Sequence, residues 1–262
     1  MCKLLKNKDI KEYGGGGIIM GKENITEINS DYFWELIEEM KECCGQDMEW
    51  SAQWIMTRLC KLPPEQVLQF HLILQGYKEA ANKYGLWTVA GLIKDTGCSD
   101  DGFIDFRAWL IAQGKDVYMA ALEDPDSLSD IKQYGSCEFE SFNYVAYKAY
   151  EELTGRGAYR DYTDAEMKRV QKELLQGIRY HPMIEFPLNP PEAAVVYPET
   201  GEQFAQKYDI NNPAFASIWN TSLPELKKLV EEGKREIHKY QKDRRQMGKK
   251  KKRRREHGGM ER

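Results

Sequence analysis

Between Ser99 and Leu110 the sequence sets Asp100, Asp101 and Asp105 beside Arg107 and the large apolar groups Phe103, Phe106, Trp109 and Leu110. Paired carboxylates at one helix start can move a proton in acid–base work or hold a divalent cation. In that reading Asp100, Asp101, Asp105 and Arg107 edge a pocket walled by Trp87 and Trp109. The same residues also have a purely structural use. Asp100 and Asp101 fall in the first turn after Ser99, a good N-cap, where each acid gains about 0.3–1 kcal/mol from the positive end of the helix dipole. Arg107 lies two turns beyond Asp100 on the same face and close to Phe103 and Ile104. A guanidinium on a partly apolar face needs a partner, most simply an acid from a neighbouring helix. The cluster has no nucleophile, histidine or metal-ligand spacing, so no catalytic residue, metal ligand or cofactor is assigned.

Other chemistry-bearing residues offer less. His71 sits on the apolar face of its helix and reads as a hydrogen-bonded core histidine. His181 precedes a proline, and His238 and His257 lie in a basic tail. The six cysteines form no Cys-x-x-Cys pair, which removes zinc-ribbon and thioredoxin-like motifs; the adjacent Cys43-Cys44 is the one pair with redox potential. Gly16 to Lys22 imitates the opening of a phosphate-binding loop, but Glu23 replaces the required hydroxyl and no apolar strand precedes it. Glycine codons in a row resemble a purine-rich ribosome-binding site, so we expect translation to start at Met20 and residues 1–19 to be untranslated leader. The net charge of −4 conceals an asymmetry: residues 234–262 carry fourteen Lys or Arg against four Asp or Glu, a net of +10, leaving −14 on the rest. Its densest part is Lys249, Lys250, Lys251, Lys252, Arg253, Arg254 and Arg255. That run suits weak, non-specific contact with nucleic acid or an acidic partner; without interleaved aromatics it does not suit base stacking.

The elements that must position these groups are helical. Phe33, Leu36, Ile37 and Met40 recur at helix spacing, and Trp50, Trp54 and Ile55 suggest a second helix. Pro63-Pro64 opens a third with Val67, Phe70, His71, Leu74 and Tyr77 inward. Leu86 to Ile93 is a fourth, Ser99 to Gly114 brackets a fifth, and another runs from Asp116 to before Pro125. Phe139, Phe142, Ala146, Ala149 and Tyr150 share a face. Thr163-Asp164-Ala165-Glu166 is a capping box for a helix to about Leu175. Prolines 182, 187, 190, 191 and 198 predict an extended arm over 178–200, followed by a small helical patch from Phe204 to Trp219.

The expected fold is all-α: a compact multi-helix bundle with a Pro-rich arm and a C-terminal helix leading into a basic disordered tail. Its divisions are a leader (1–29), a helical domain (30–177), the arm and patch (178–221), an amphipathic helix (222–247) and the tail (248–262). Hydrophobic content of 41% fits a globular chain, and no apolar run approaches a membrane span. A polar start without a secretory h-region points to the cytoplasm.

Several motifs together carry a resemblance. They are Gly97-Cys98-Ser99-Asp100-Asp101-Gly102-Phe103, Phe106-Arg107-Ala108-Trp109-Leu110-Ile111, Gln113-Gly114, Ala120-Ala121-Leu122 and Asp124-Pro125-Asp126-Ser127-Leu128. Phe33-Trp34-Glu35-Leu36-Ile37 and Tyr144-Val145-Ala146-Tyr147 extend it. Over roughly residues 30–155 the chain resembles the bacterial domain-of-unknown-function 4240 family, which implies a helical domain and no assigned activity. The expected function is a non-catalytic binding or regulatory module that presents the Asp100–Trp109 region to a protein or small ligand. The alternatives are an enzyme using that acidic pocket, with or without a divalent metal, and a nucleic-acid accessory acting through its tail.

Overall fold

The computed structural model describes residues 28–94, 97–132, 136–188, 193 and 196–207. The leader up to residue 27, the helical patch beyond Lys207, the amphipathic helix expected over 222–247 and the basic tail lie outside the described residues; Ile28, at the leader's end, is buried, and Asn29 caps the first helix. Among those described there is no β-strand, and no helix is long and apolar enough to cross a membrane. The residues cluster into two units that do not follow chain order. Among the described residues, the first unites 28–82 with Ser99–Glu123 and Lys132–Tyr180; the second unites Lys83–Cys98, Asp124–Ile131 and those described between 181 and 207.

The first unit is built round α3 (Pro64–Ala80), which packs on α1 (Ser30–Cys44), α5 (Asp100–Ala112), α7 (Val145–Thr154) and α8 (Asp164–Leu175). An apolar stripe on one side would not suffice for so many neighbours. Val67, Phe70, His71, Leu72, Ile73, Leu74, Gly76 and Tyr77 are accordingly buried round much of its circumference. Gly76 matters because a Cβ there would stand 2.6 Å from Leu174 Cδ1, so the missing side chain lets α8 come close. The α1 stripe of Phe33, Leu36, Ile37 and Met40 is buried as its spacing requires. Phe33, Trp34, Phe70, Tyr77 and Tyr118 form one aromatic core, in which the Trp34 indole donates to Tyr77 Oη (2.9 Å) and Tyr118 Oη to the Tyr77 carbonyl (2.6 Å). On α2 (Met48–Leu59) the buried face is Ser51, Ala52, Ile55 and Leu59, while Trp50 is exposed.

Local signals set the ends. Ser99 Oγ accepts from Gly102 N–H (3.1 Å), and Thr163 with Glu166 forms the full capping box of α8. Pro64 occupies the first turn of α3. Gly114 adopts φ +96° between α5 and α6 (Lys115–Glu123). The face of Phe139, Phe142, Ala146, Ala149 and Tyr150 is buried, reached through a tight turn at Glu140–Tyr144.

The second unit holds α4 (Tyr84–Ile93), the short turn Pro125–Asp130 and α9 (Pro198–Lys207). Where the arm was expected to end, Pro198 opens a helix, because a proline in the first turn forfeits no hydrogen bond. Asp126 fixes that start from elsewhere in the chain. Its buried carboxylate accepts from Glu199 N–H (3.0 Å), Thr200 N–H (2.8 Å) and Thr200 Oγ1 (2.6 Å). A carboxylate on three donors at a helix N-terminus satisfies orphan amides and complements the dipole. Ile184 is buried in this unit, its carbonyl accepting from Gly85 N–H (2.7 Å), whereas Phe186 is half exposed.

Candidate functional site

The sequence-derived cluster separates into parts with different duties. Asp100 and Asp101 are exposed in the first turn of α5, as a capping role requires. Trp109 is fully enclosed, its ring 5.5 Å from Phe106 in a stacked arrangement. It therefore belongs to the core and does not wall an open pocket. Phe103, Phe106, Trp109 and Leu110 share the helix stripe that packs inward, and that stripe carries the indole with it. Trp87 belongs to the second unit, where its indole donates to the Cys98 carbonyl (2.8 Å).

Arg107 and Asp105 do have company, though not the expected kind. Arg107 is 9% exposed and donates from Nη1 to the Lys78 carbonyl (2.9 Å) and from Nε to the Phe103 carbonyl (3.4 Å), with its guanidinium 5.1 Å from the Phe103 ring. Backbone carbonyls replace the acid expected from a neighbouring helix. Burial lowers the Arg107 pKa, which neighbouring Glu79 opposes. Lys78, on the same patch, is brought down to about 8 by burial and by the Arg107 charge, with Asp105 pulling the other way. The Asp105 carboxyl is pushed up by burial and by Glu140 and Glu138, while Asn143 donates to it (2.7 Å). Among the described residues no group of three or more His, Cys, Asp or Glu is placed to hold a metal ion. The Cys44 thiol rises to about 11, through burial and then Cys43, which makes it a poor nucleophile.

A concavity of the first unit lies elsewhere. A groove of about 700 Å³ is lined by Asp31, Glu35, Glu38, Glu39 and Glu42 of α1, by Asp116 of α6, and by Lys41 and Lys115. Trp34, Val117 and Gln113 complete the lining. Residues 31, 35, 38, 39 and 42 share one side of a 3.6-residue helix, opposite the buried stripe. Three carboxylates are committed: Glu38 to Lys41 (2.8 Å), Glu39 to Arg58 (2.6 Å) and Asp31 to Lys115 (3.2 Å). Glu35, Glu42 and Asp116 make no hydrogen bond or ion pair among the described residues. Gly114 shapes the groove's rim, because a Cβ there would collide with Glu38 Oε1 and Lys41 Nζ. The open side of Gly114 leaves room for Glu38 to reach the α5–α6 turn and accept from Lys115 N–H (3.2 Å).

Sequence reading missed this groove by following the apolar stripe of α1 and passing over its other face. The signal was there in five acids at offsets of 4, 7, 8 and 11 from Asp31.

Residues 28–152 match the family described as protein of unknown function (DUF4240). This stretch is a domain of that family. The DUF4240 domain thus contains both the groove and the α5 motif on which the resemblance rested. Its Asp126 caps α9, a helix beyond the matched residues. No curated protein and no solved structure matches the chain.

Proposed function

We propose that the DUF4240 domain is a non-catalytic, cytoplasmic binding module that takes a basic polypeptide segment of a partner into the α1–α6 groove. One observation carries the reading: six carboxylates and two lysines share a single concavity, and three of the carboxylates are uncommitted. The arrangement strains its own helix. Asp31–Glu35, Glu35–Glu39 and Glu38–Glu42 are like-charge pairs four residues apart, each unfavourable by about 0.2–0.5 kcal/mol. A cationic partner relieves that repulsion and meets a complementary potential, which gives specificity and a fast on-rate. Val117, partly exposed in the lining, offers apolar contact for the methylene stems of Lys or Arg.

Fluorescently labelled octalysine titrated against the full chain tests this. Binding is expected to weaken with salt, and Glu35→Lys with Glu42→Lys is expected to weaken it by about tenfold or more. Asp100→Lys with Asp101→Lys, the same change in charge on the exposed start of α5, is expected to change it by less than about twofold. Equal losses from both pairs would mean that net charge, and not the groove, holds the probe.

A further inference from the structure

A second cavity of the first unit, about 330 Å³, lies among α3, α7, the segment after α7, and α8. Its polar groups divide by commitment. Asp161 accepts from Tyr150 Oη (2.7 Å) and pairs with Arg156 (3.2 Å), and Glu166 is held by the backbone and hydroxyl of Thr163 (2.7 Å each). Glu65, Gln69, Arg169 and the Tyr162 hydroxyl make no hydrogen bond or ion pair among the described residues. Arg169 of α8, whose charge also acts on Glu166 one turn earlier, and Glu65 of α3 therefore face one concavity without pairing with each other. The remaining lining is apolar, from Leu68 and Leu72. Behind it the Tyr162 ring is steadied by Tyr159 (6.2 Å) and by the buried His71 ring (5.8 Å), neither of whose nitrogens has a hydrogen-bond partner.

We infer that this cavity binds a small zwitterion, an α-amino acid with an apolar side chain. The ligand carboxylate meets the Arg169 guanidinium, whose planar fork suits a bidentate pair. Its ammonium meets Glu65, with the Gln69 amide and Tyr162 hydroxyl at hand for the remaining hydrogen bonds. Its side chain covers Leu68, Leu72 and the Tyr162 face. A purely anionic ligand would be repelled by Glu65 and a purely cationic one by Arg169, so the pair selects for both charges in one small molecule. The volume is at the small end of ligand pockets, which suits a ligand of this size. This site is independent of the acidic groove and does not rest on the function proposed for it.

The test is a methyl-detected NMR titration of the full chain with L-leucine, L-leucinamide and N-acetyl-L-leucine. Leucine is expected to shift the Leu68 and Leu72 methyls saturably, and each analogue, lacking one charge, to bind about tenfold more weakly or worse. Arg169→Gln and Glu65→Gln, both exposed positions expected to melt as the parent does, are each expected to weaken leucine binding by about tenfold. Absence of saturable shifts with leucine, equal binding of either analogue, or indifference to both substitutions would overturn the assignment.

Discussion

His71 shows how a residue can mislead from sequence while its position is read correctly. Its place on the inner face of α3 follows from its spacing with Val67, Phe70 and Leu74, and the side chain is indeed fully buried. The hydrogen bond expected of it is missing, since Tyr159 and Tyr162 present ring surfaces to the imidazole. Burial, then the charge of Lys78, brings its pKa from 6.5 to about 4. The unfolded chain binds a proton near pH 6.5 and the folded chain only near 4, so His71 supports folding above that window. The support is lost as pH falls through it, by about 3 kcal/mol in all. His71→Leu is expected to remove this component: chemical denaturation at pH 7 and pH 4 should show the variant losing less stability than the parent. An equal loss in both would place the acid sensitivity in other groups. At neutral pH the substitution is expected to be neutral or stabilising, because it deletes two unsatisfied polar atoms that cost about 1–3 kcal/mol when buried. Trp109 was misplaced for a related reason. Its nearness to Asp100 in sequence suggested a shared pocket, yet its three-residue spacing from Phe106 already put it on the buried stripe.

At the scale of elements, helix starts were legible wherever the capping group lies beside them in sequence. Ser99, Thr163 with Glu166, and Pro64 each sit at the expected boundary. The start of α9 was not legible, because its cap, Asp126, is supplied by a turn more than seventy residues earlier. Pro198 alone reads equally as a breaker or a first-turn residue. Asp126→Ala is expected to destabilise the second unit by about 1–3 kcal/mol, since it strands buried donors of α9. Hydrogen exchange checks this: Glu199 and Thr200 amides should lose protection, and unchanged protection would deny the capping role. Gly114 carries the corresponding burden for the groove. Gly114→Ala combines a left-handed backbone with a clash against Glu38 and Lys41, and a loss of about 1–3 kcal/mol in denaturant unfolding is expected. A variant as stable as the parent would show that the α5–α6 turn can rearrange freely.

For the molecule as a whole, the all-α class follows from periodicity alone, because apolar residues at three- and four-residue intervals continue from α1 through α8. The two-unit arrangement does not, since Lys83–Cys98 and Asp124–Ile131 join the described residues between 181 and 207 through contacts between distant parts of the chain. The site is intermediate. Its acids are visible in α1, but their gathering with Asp116 depends on the turn at Gly114. In the proposed function this groove, and not the start of α5, is where a basic segment binds. The most direct measurement is an amide and indole NMR titration of the full chain with octalysine. Saturable shifts are expected to concentrate at Trp34, Glu35, Glu42, Lys115 and Asp116, with Asp100 and Asp101 little changed. Shifts centred on Asp100 and Asp101, or spread evenly over every acidic surface, would contradict it.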